Sequence, residues 1–286
     1  MIVLNHMTLH EVLVKSHTVL EHTTTTPWHE AECLVGLSLG VSREALIRVP
    51  LHEHIPGCAN RRLQEFLYKR STGVPLPYLL GQQSFYGFEF FVTPSVLIPR
   101  PETEVLVDVA LRVLAVRPKG RTTVVDIGTG SGCVAVSLAK KLPHRGLYAT
   151  DISSAALHVA KKNARLHKVA SRITFLQGDL LQPLPQKPHL ILANLPYLTP
   201  AQIAENPGLQ YEPQSALMAG PDGVSLYRRL LQDIYAKGWQ GVCVVLEIDP
   251  AQQQLCAQEV IMYFPRATLD FIPDLNGLTR VARIAL

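Results

Sequence analysis

Val124-Val125-Asp126-Ile127-Gly128-Thr129-Gly130-Ser131-Gly132 is an apolar strand pattern that runs straight into a glycine loop, and helical spacing resumes at Cys133. Glycines at such a turn let the backbone take positive φ and let a ligand come close, while the free N–H groups of the helix behind it favour negative charge. A phosphate-gripping loop would end in Gly-Lys-Ser or Gly-Lys-Thr, which this stretch lacks. A dinucleotide fingerprint with glycines at 128 and 130 would want glycine or alanine at 133, so Cys133 weakens that reading without excluding it. The Gly-x-Gly-x-Gly spacing behind Asp126 fits a ligand with an amino-acid end and an adenosine end, which is S-adenosylmethionine.

Outward from the loop, strand and helix patterns alternate over residues 122–127, 133–141, 146–150, 155–167, 172–177 and 189–193. Alternation of this kind predicts a parallel sheet covered by crossover helices, with ligands bound beyond the carboxyl ends of the strands. Asp126, Asp151, Asp179 and Asn194 all stand at such ends. Asp151 is placed to hold a ribose diol and Asp179 to meet the adenine amino group, with Leu180 against the ring. Either acid alone would read as a loop residue or a helix N-cap; their placement at successive strand ends favours one shared ligand. Residues 241–248, 251–264, 267–272 and 278–285 add a further βα unit and a closing hairpin, which brings the sheet to seven strands.

Asn194-Leu195-Pro196-Tyr197 follows the apolar run 190–193. An amide or exocyclic amine lends its lone pair to the neighbouring π-system and attacks carbon poorly. If the Asn194 side-chain oxygen and a main-chain carbonyl of the turn both accept from that NH2, electron density at nitrogen rises and the atom is aimed in line. Tyr197 would supply a flat wall. By itself the tetrapeptide is also an ordinary strand-ending turn, since Pro196 keeps Leu195 extended.

The first third of the chain differs in texture. Residues 8–21 have helix-like apolar spacing, residues 23–26 break it, Pro27 suits a first helical position, Gly40 a helix end and Ser42 a cap, and 60–70 form a fourth helix. Arg61, Arg62, Lys69 and Arg70 gather there, either as a partner-facing surface or as a solvated face. From 74 to 101, prolines and glycines punctuate aromatic runs, which predicts a β-hairpin linker. The expected domains are therefore a helical one at 1–73, the linker at 74–101 and a catalytic domain at 102–286.

Composition bounds the rest. At 286 residues with 47% hydrophobic and 17% charged residues, the chain can build a sizeable core and is not a disordered one. The N-terminus lacks a basic region followed by a long apolar stretch, and no run is long enough to span a bilayer, so a cytoplasmic protein with no membrane association is expected. Five scattered cysteines read as reduced core thiols. His6, His10, His17, His22, His29, His52 and His54 form no recognised ligand set, so no metal is expected. The net charge of +4 permits an RNA-associated protein partner without demanding nucleic acid.

Taken together, Ile98-Pro99-Arg100-Pro101-Glu102-Thr103-Glu104, the loop from Asp126 to Gly132, Asn194 to Tyr197, Tyr211-Glu212-Pro213, Gly220 to Gly223, Glu247-Ile248 and the 274–280 segment resemble, in order, the HemK/PrmC family of protein-(glutamine-N5) methyltransferases. The resemblance implies a class I S-adenosylmethionine-dependent methyltransferase: a Rossmann-like α/β fold with a seven-stranded, mostly parallel sheet and a small helical N-terminal domain. It implies transfer of a methyl group to the glutamine amide of the Gly-Gly-Gln motif in class I peptide-chain release factors. On that basis Asn194, Leu195, Pro196 and Tyr197 are the catalytic and substrate-binding set. Asp126, Gly128, Thr129, Gly130, Ser131, Gly132, Asp151, Asp179, Leu180 and Asn194 are the cofactor set, with residues 100–103 lining the cleft. Leu195 stands where the family usually has proline, and Asp249-Pro250 where glycine is commoner. Alternatives are a glutamine methyltransferase of a large-subunit ribosomal protein, an amino-methyltransferase acting on adenine in nucleic acid, and an inactive S-adenosylmethionine-binding adaptor. A monomer is the default.

Overall fold

Thr8 opens helix α1 (Leu9–Leu20) with a capping box, its hydroxyl accepting from Glu11 N and the Glu11 carboxylate accepting from Thr8 N. Pro27 begins α2 (Pro27–Leu39), Gly40 ends it at φ 74°, and the Ser42 hydroxyl caps α3 (Arg43–Leu46), all as the sequence pattern predicts. The fourth helix, α4 (Gly57–Ser71), starts earlier than its apolar spacing suggests. Val12, Leu20, Leu34 and Leu63 are buried together in the core of this bundle. Arg70 departs from the surface reading: it is partly buried and grips buried Glu30 with two hydrogen bonds, Nε to Oε2 at 2.6 Å and Nη2 to Oε1 at 3.1 Å. Arg61, Arg62 and Lys69 remain exposed.

The computed structural model describes residues 7–117, 122–144 and 146–286. Residues 1–6, His6 among them, lie outside the described residues. The chain divides into two compact units, Met1–Gln82 and Gln83–Leu286, and the segment 74–101 spans the division between them. Its first part is a short helix, α5 (Leu76–Leu80), because Leu76 and Leu79 pack on the helical core and Gly81 stops the turn at φ 70°. The expected hairpin is confined to β1 (Gln82–Phe85) and β2 (Phe88–Phe91). Tyr86 and Gly87 both take positive φ at its tip, as a two-residue turn between twisted strands requires.

The second unit continues with α6 (Glu104–Ala115), β3 (Val124–Ile127), α7 (Cys133–Lys141), β4 (Leu147–Asp151), α8 (Ser154–Leu166), β5 (Ile173–Gln177) and β6 (Leu190–Ala193). It closes with α9 (Pro200–Ala204), α10 (Ser225–Ala236), β7 (Cys243–Glu247), α11 (Gln253–Tyr263), β8 (Thr268–Pro273) and β9 (Thr279–Ala285). The seven-stranded sheet has the order β5-β4-β3-β6-β7-β9-β8, parallel except for the final hairpin, in which β9 runs antiparallel to both β7 and β8. Strands β3, β6 and β7 are buried along their whole length and read as apolar runs, as central parallel strands should. After β3 the chain builds outward through β4 and β5, then returns to lay β6 on the other side of β3. That reversal makes a crevice at the carboxyl ends of β3 and β6, where the glycine loop and Asn194 leave the sheet.

Helix α10 is absent from the sequence reading, although Tyr227, Leu230, Leu231 and Ile234 recur at helical spacing and are all fully buried. They cover the face formed by Ile191, Val244 and Leu246. Leu230→Ala should lower the unfolding free energy by about 2–5 kcal/mol, measured by urea denaturation, because the helix and sheet cannot both relax into the void.

Candidate active site

The glycine loop owes its shape to residues that the strand pattern alone could not assign. Gly128, Gly130 and Gly132 take φ of 68°, 54° and 81°, the left-handed region that side chains disfavour. Gly132 has a second reason to lack a side chain, since a Cβ there would sit 3.0 Å from the Ala160 Cβ, so α8 packs directly on the loop. A Cβ at Gly128 would come within 3.2 Å of Leu195 Cδ2, so the turn after β6 touches the loop. Asp151 ties the loop down, accepting from Gly130 N and Ser153 N, each at 2.9 Å. Asp126 is 4% exposed and accepts from the Thr129 hydroxyl at 2.6 Å, and burial pushes its pKa up to about 7 against that hydrogen bond. Burial also raises the Asp151 carboxyl above its ordinary range, against the N–H groups that favour its ionised form.

These groups border a cavity of about 330 Å³. Asp126, Gly128, Thr129, Gly130 and Ser131 line it on one side, and Asp151, Asp179 and Leu180 on another. Asn194, Leu195 and Pro196 close the end nearest β6, with Arg100 and Thr103 beside them. Gly132 and Tyr197, both in the sequence-derived set, are not among the lining residues. Gly132 serves helix packing instead. Tyr197 leans on the core around Leu195 and Tyr227, and its carbonyl accepts from Gln252 Nε2 at 2.6 Å. Leu180 holds φ 45°, a costly conformation for a branched side chain, at the cavity wall.

Several groups at or next to the cavity are given no role by the sequence reading. Arg229, from α10, donates to the Asp179 carboxylate at 2.5 Å, so this acid meets the cavity as half of an ion pair. Glu212 is buried and joins Arg100, while its other oxygen accepts from Ile98 N at 3.0 Å, which pins the segment before α6 to the one after α9. Pro213, Ser215 and Met218 extend that rim. The Glu212-Pro213 pair appears in the sequence only as a family feature, and Arg229 follows from nothing but its position on an unassigned helix.

Asn194 sets the chemical character of the cavity. Its Nδ2 donates to the Thr103 hydroxyl at 3.0 Å, and its Oδ1 is buried with no hydrogen-bond partner. An orphaned buried acceptor costs about 1–3 kcal/mol, a cost expected where a ligand donor is to be received. The cavity therefore offers a glycine cradle with carboxylates at one end and an unpaired carboxamide oxygen at the other. That combination fits an adenosyl amino acid beside a nitrogen that carries hydrogen.

Among the described residues, no helix is long and apolar enough to cross a membrane. A family model described as "PrmC N-terminal domain" matches residues 11–81, and one described as "Methyltransferase small domain" matches residues 103–208. A release factor glutamine methyltransferase of Moorella thermoacetica is 43% identical over 230 residues, covering 80% of each chain. One of Dictyoglomus turgidum is 33% identical over 284 residues, covering 96% of this chain and 98% of its own. A solved structure of the hMettl16 catalytic domain with the MAT2A 3'UTR hairpin 1 shares the fold, with a TM-score of 0.55 at 15% identity over 80% of this chain and 79% of its own.

Proposed function

Because the chain belongs to the release factor glutamine methyltransferase family, we propose that it transfers a methyl group from S-adenosylmethionine to the side-chain amide nitrogen of the glutamine in the Gly-Gly-Gln motif of a class I release factor. The observation that carries the chemistry is the buried, unpaired Asn194 Oδ1 at the end of the cavity. The cofactor, when bound, supplies a methyl group on a positively charged sulfur. Loop residues 128–131 would hold it, with Asp151 at the ribose and Asp179 and Leu180 at the adenine end.

The residues of the chain do the rest by position. Asn194 Oδ1 accepts one hydrogen of the glutamine NH2, and a carbonyl of the turn accepts the other. Tyr197 O is already engaged by Gln252, which favours the Leu195 carbonyl for that part. With both hydrogens held, the nitrogen lone pair is directed at the methyl carbon. The cofactor would supply the methyl carbon and keep the C–S bonding pair on sulfur, while the amide nitrogen held by Asn194 and the Leu195 carbonyl would form the C–N bond and lose one proton to solvent. No strong base is needed, because the nitrogen becomes acidic only as the methyl arrives. Leucine in place of proline at 195 keeps the acceptor, since Pro196 still holds the residue extended. The helical unit at 1–82, with Arg61, Arg62 and Lys69 exposed on α4, is the part we assign to release-factor recognition.

The test is mass spectrometry of tryptic peptides after incubation with S-adenosylmethionine and a purified release factor, a large-subunit ribosomal protein or DNA in parallel. The Gly-Gly-Gln peptide should gain the mass of one methyl group, located on the glutamine side chain. Methylation confined to either of the other two substrates overturns the assignment.

A further inference from the structure

Behind Asn194, outside the residues that line the cavity, lies a carboxylate that the chemistry above leaves unused. Glu247 ends β7, where every residue is buried, and is itself 1% exposed. Ala193 lies opposite Leu246 in the parallel pairing of β6 and β7, so Asn194 and Glu247 leave the sheet one step later, side by side. Both Glu247 oxygens are buried with no hydrogen-bond partner, so the carboxyl has a free acceptor on the side of Asn194 and Thr103, and the Thr103 hydroxyl opposes the effect of burial on it. Thr103 is 2% exposed and is the group that receives Asn194 Nδ2.

A hydroxyl has one proton to give. When Thr103 accepts from the Asn194 NH2, that proton must point elsewhere, and an ionised Glu247 can only accept it. The charge on Glu247 then keeps the Thr103 oxygen turned to Asn194 as an acceptor, which keeps Asn194 Oδ1 toward the cavity. A protonated Glu247 no longer demands the hydroxyl proton. Thr103 is then free to donate to Asn194 Oδ1, the carboxamide can turn over, and an NH2 would face the NH2 of the substrate. We infer that Glu247 is a positioning residue, which through Thr103 holds the Asn194 carboxamide with its oxygen toward the substrate nitrogen; this rests on the function proposed above.

The groups facing Glu247 set where it titrates. Burial raises its pKa to about 7, with Glu102 adding to the rise, while Thr103, Arg280 from β9 and the Tyr197 hydroxyl oppose it. Tyr227 of α10 and Cys133 of α7 also feel its charge, and burial keeps both of them protonated through the neutral range. Turnover should accordingly fall as pH drops through the neutral range, because the ionised form is the ordering one.

The experiment measures kcat for a Gly-Gly-Gln-containing release factor at saturating S-adenosylmethionine across the neutral range, for wild type, Glu247→Gln, Thr103→Val and Thr103→Ser. Calorimetric S-adenosylmethionine affinity and the unfolding midpoint are recorded for each. Glu247→Gln and Thr103→Val should each lose on the order of 10²-fold in kcat and lose the Glu247 part of the acidic limb, the part due to Asp126 being common to all four proteins, with cofactor affinity held within about twofold. Thr103→Ser, which restores the hydroxyl, should recover both rate and limb. The proposal is overturned if Glu247→Gln keeps wild-type kcat and its acidic limb. It is equally overturned if that variant loses rate only in proportion to cofactor affinity or unfolding midpoint, or if Thr103→Ser behaves as Thr103→Val does. Absence of wild-type turnover would overturn the functional reading together with it, whereas wild-type turnover with an indifferent Glu247→Gln removes this inference alone.

Discussion

Asn194→Ala should lower methyl transfer by about 10²–10³-fold in kcat, the size of effect seen when a single pre-aimed hydrogen-bonding group is removed from a reacting centre. The carboxamide oxygen is a buried acceptor without a partner, on a residue that lines the cavity, whereas the unpartnered Glu247 oxygens belong to a residue outside the lining and do not take its place. S-Adenosylmethionine affinity should change far less, because the glycine loop, Asp151 and Asp179 keep their places. Calorimetry on the variant, paired with single-turnover transfer to a release factor, separates the two quantities. Wild-type-like transfer by Asn194→Ala would show that the nitrogen is oriented by something else.

Asp151→Ala should have the opposite signature, with cofactor affinity falling by about 10²-fold or more. This carboxylate accepts from Gly130 N and Ser153 N, so it shapes the loop from inside as well as facing the cavity. Each charge-assisted bond of this kind contributes about 1.5–3 kcal/mol, and losing both frees a loop whose three glycines have little stiffness of their own. Asp151→Asn keeps the shape and one acceptor, and should fall between wild type and alanine. Titration calorimetry of the three proteins checks the order, and unchanged affinity in Asp151→Ala would remove Asp151 from the cofactor site.

Much of the architecture was legible because parallel βα units write a strong signal. The apolar runs that become β3, β6 and β7 carry almost no polar residues, and the helices between them repeat at a different period. Strand ends were legible too, which is why Asp126, Asp151, Asp179 and Asn194 fall around one cavity. What escaped depends on contacts that no local pattern encodes. Helix α10 sits in a stretch where glycine and proline turns mask a regular apolar face, and Arg229 reaches Asp179 only once that helix has docked. Gly132 and Tyr197 belong to motifs at the site but face away from its cavity, one into Ala160 and the other toward the core. Helix α5 is not legible in the sequence, because Leu76 and Leu79 pack backward onto the bundle and a five-residue helix is too short to show its period. A carboxylate closing an otherwise apolar strand, as Glu247 closes β7, is a signal that sequence does carry; that it stands next to Asn194 follows only from the β6–β7 register.

The grip of Glu212 on Ile98 N and Arg100 joins points 114 and 112 residues apart along the chain. Closing so long a stretch is entropically late work, since the intervening strands must first bring its ends together. The rim of the pocket is therefore tied to the fold by one buried carboxylate, so Glu212→Gln, which removes the charge and keeps the shape, should loosen the rim while leaving the sheet's own strand pairings intact.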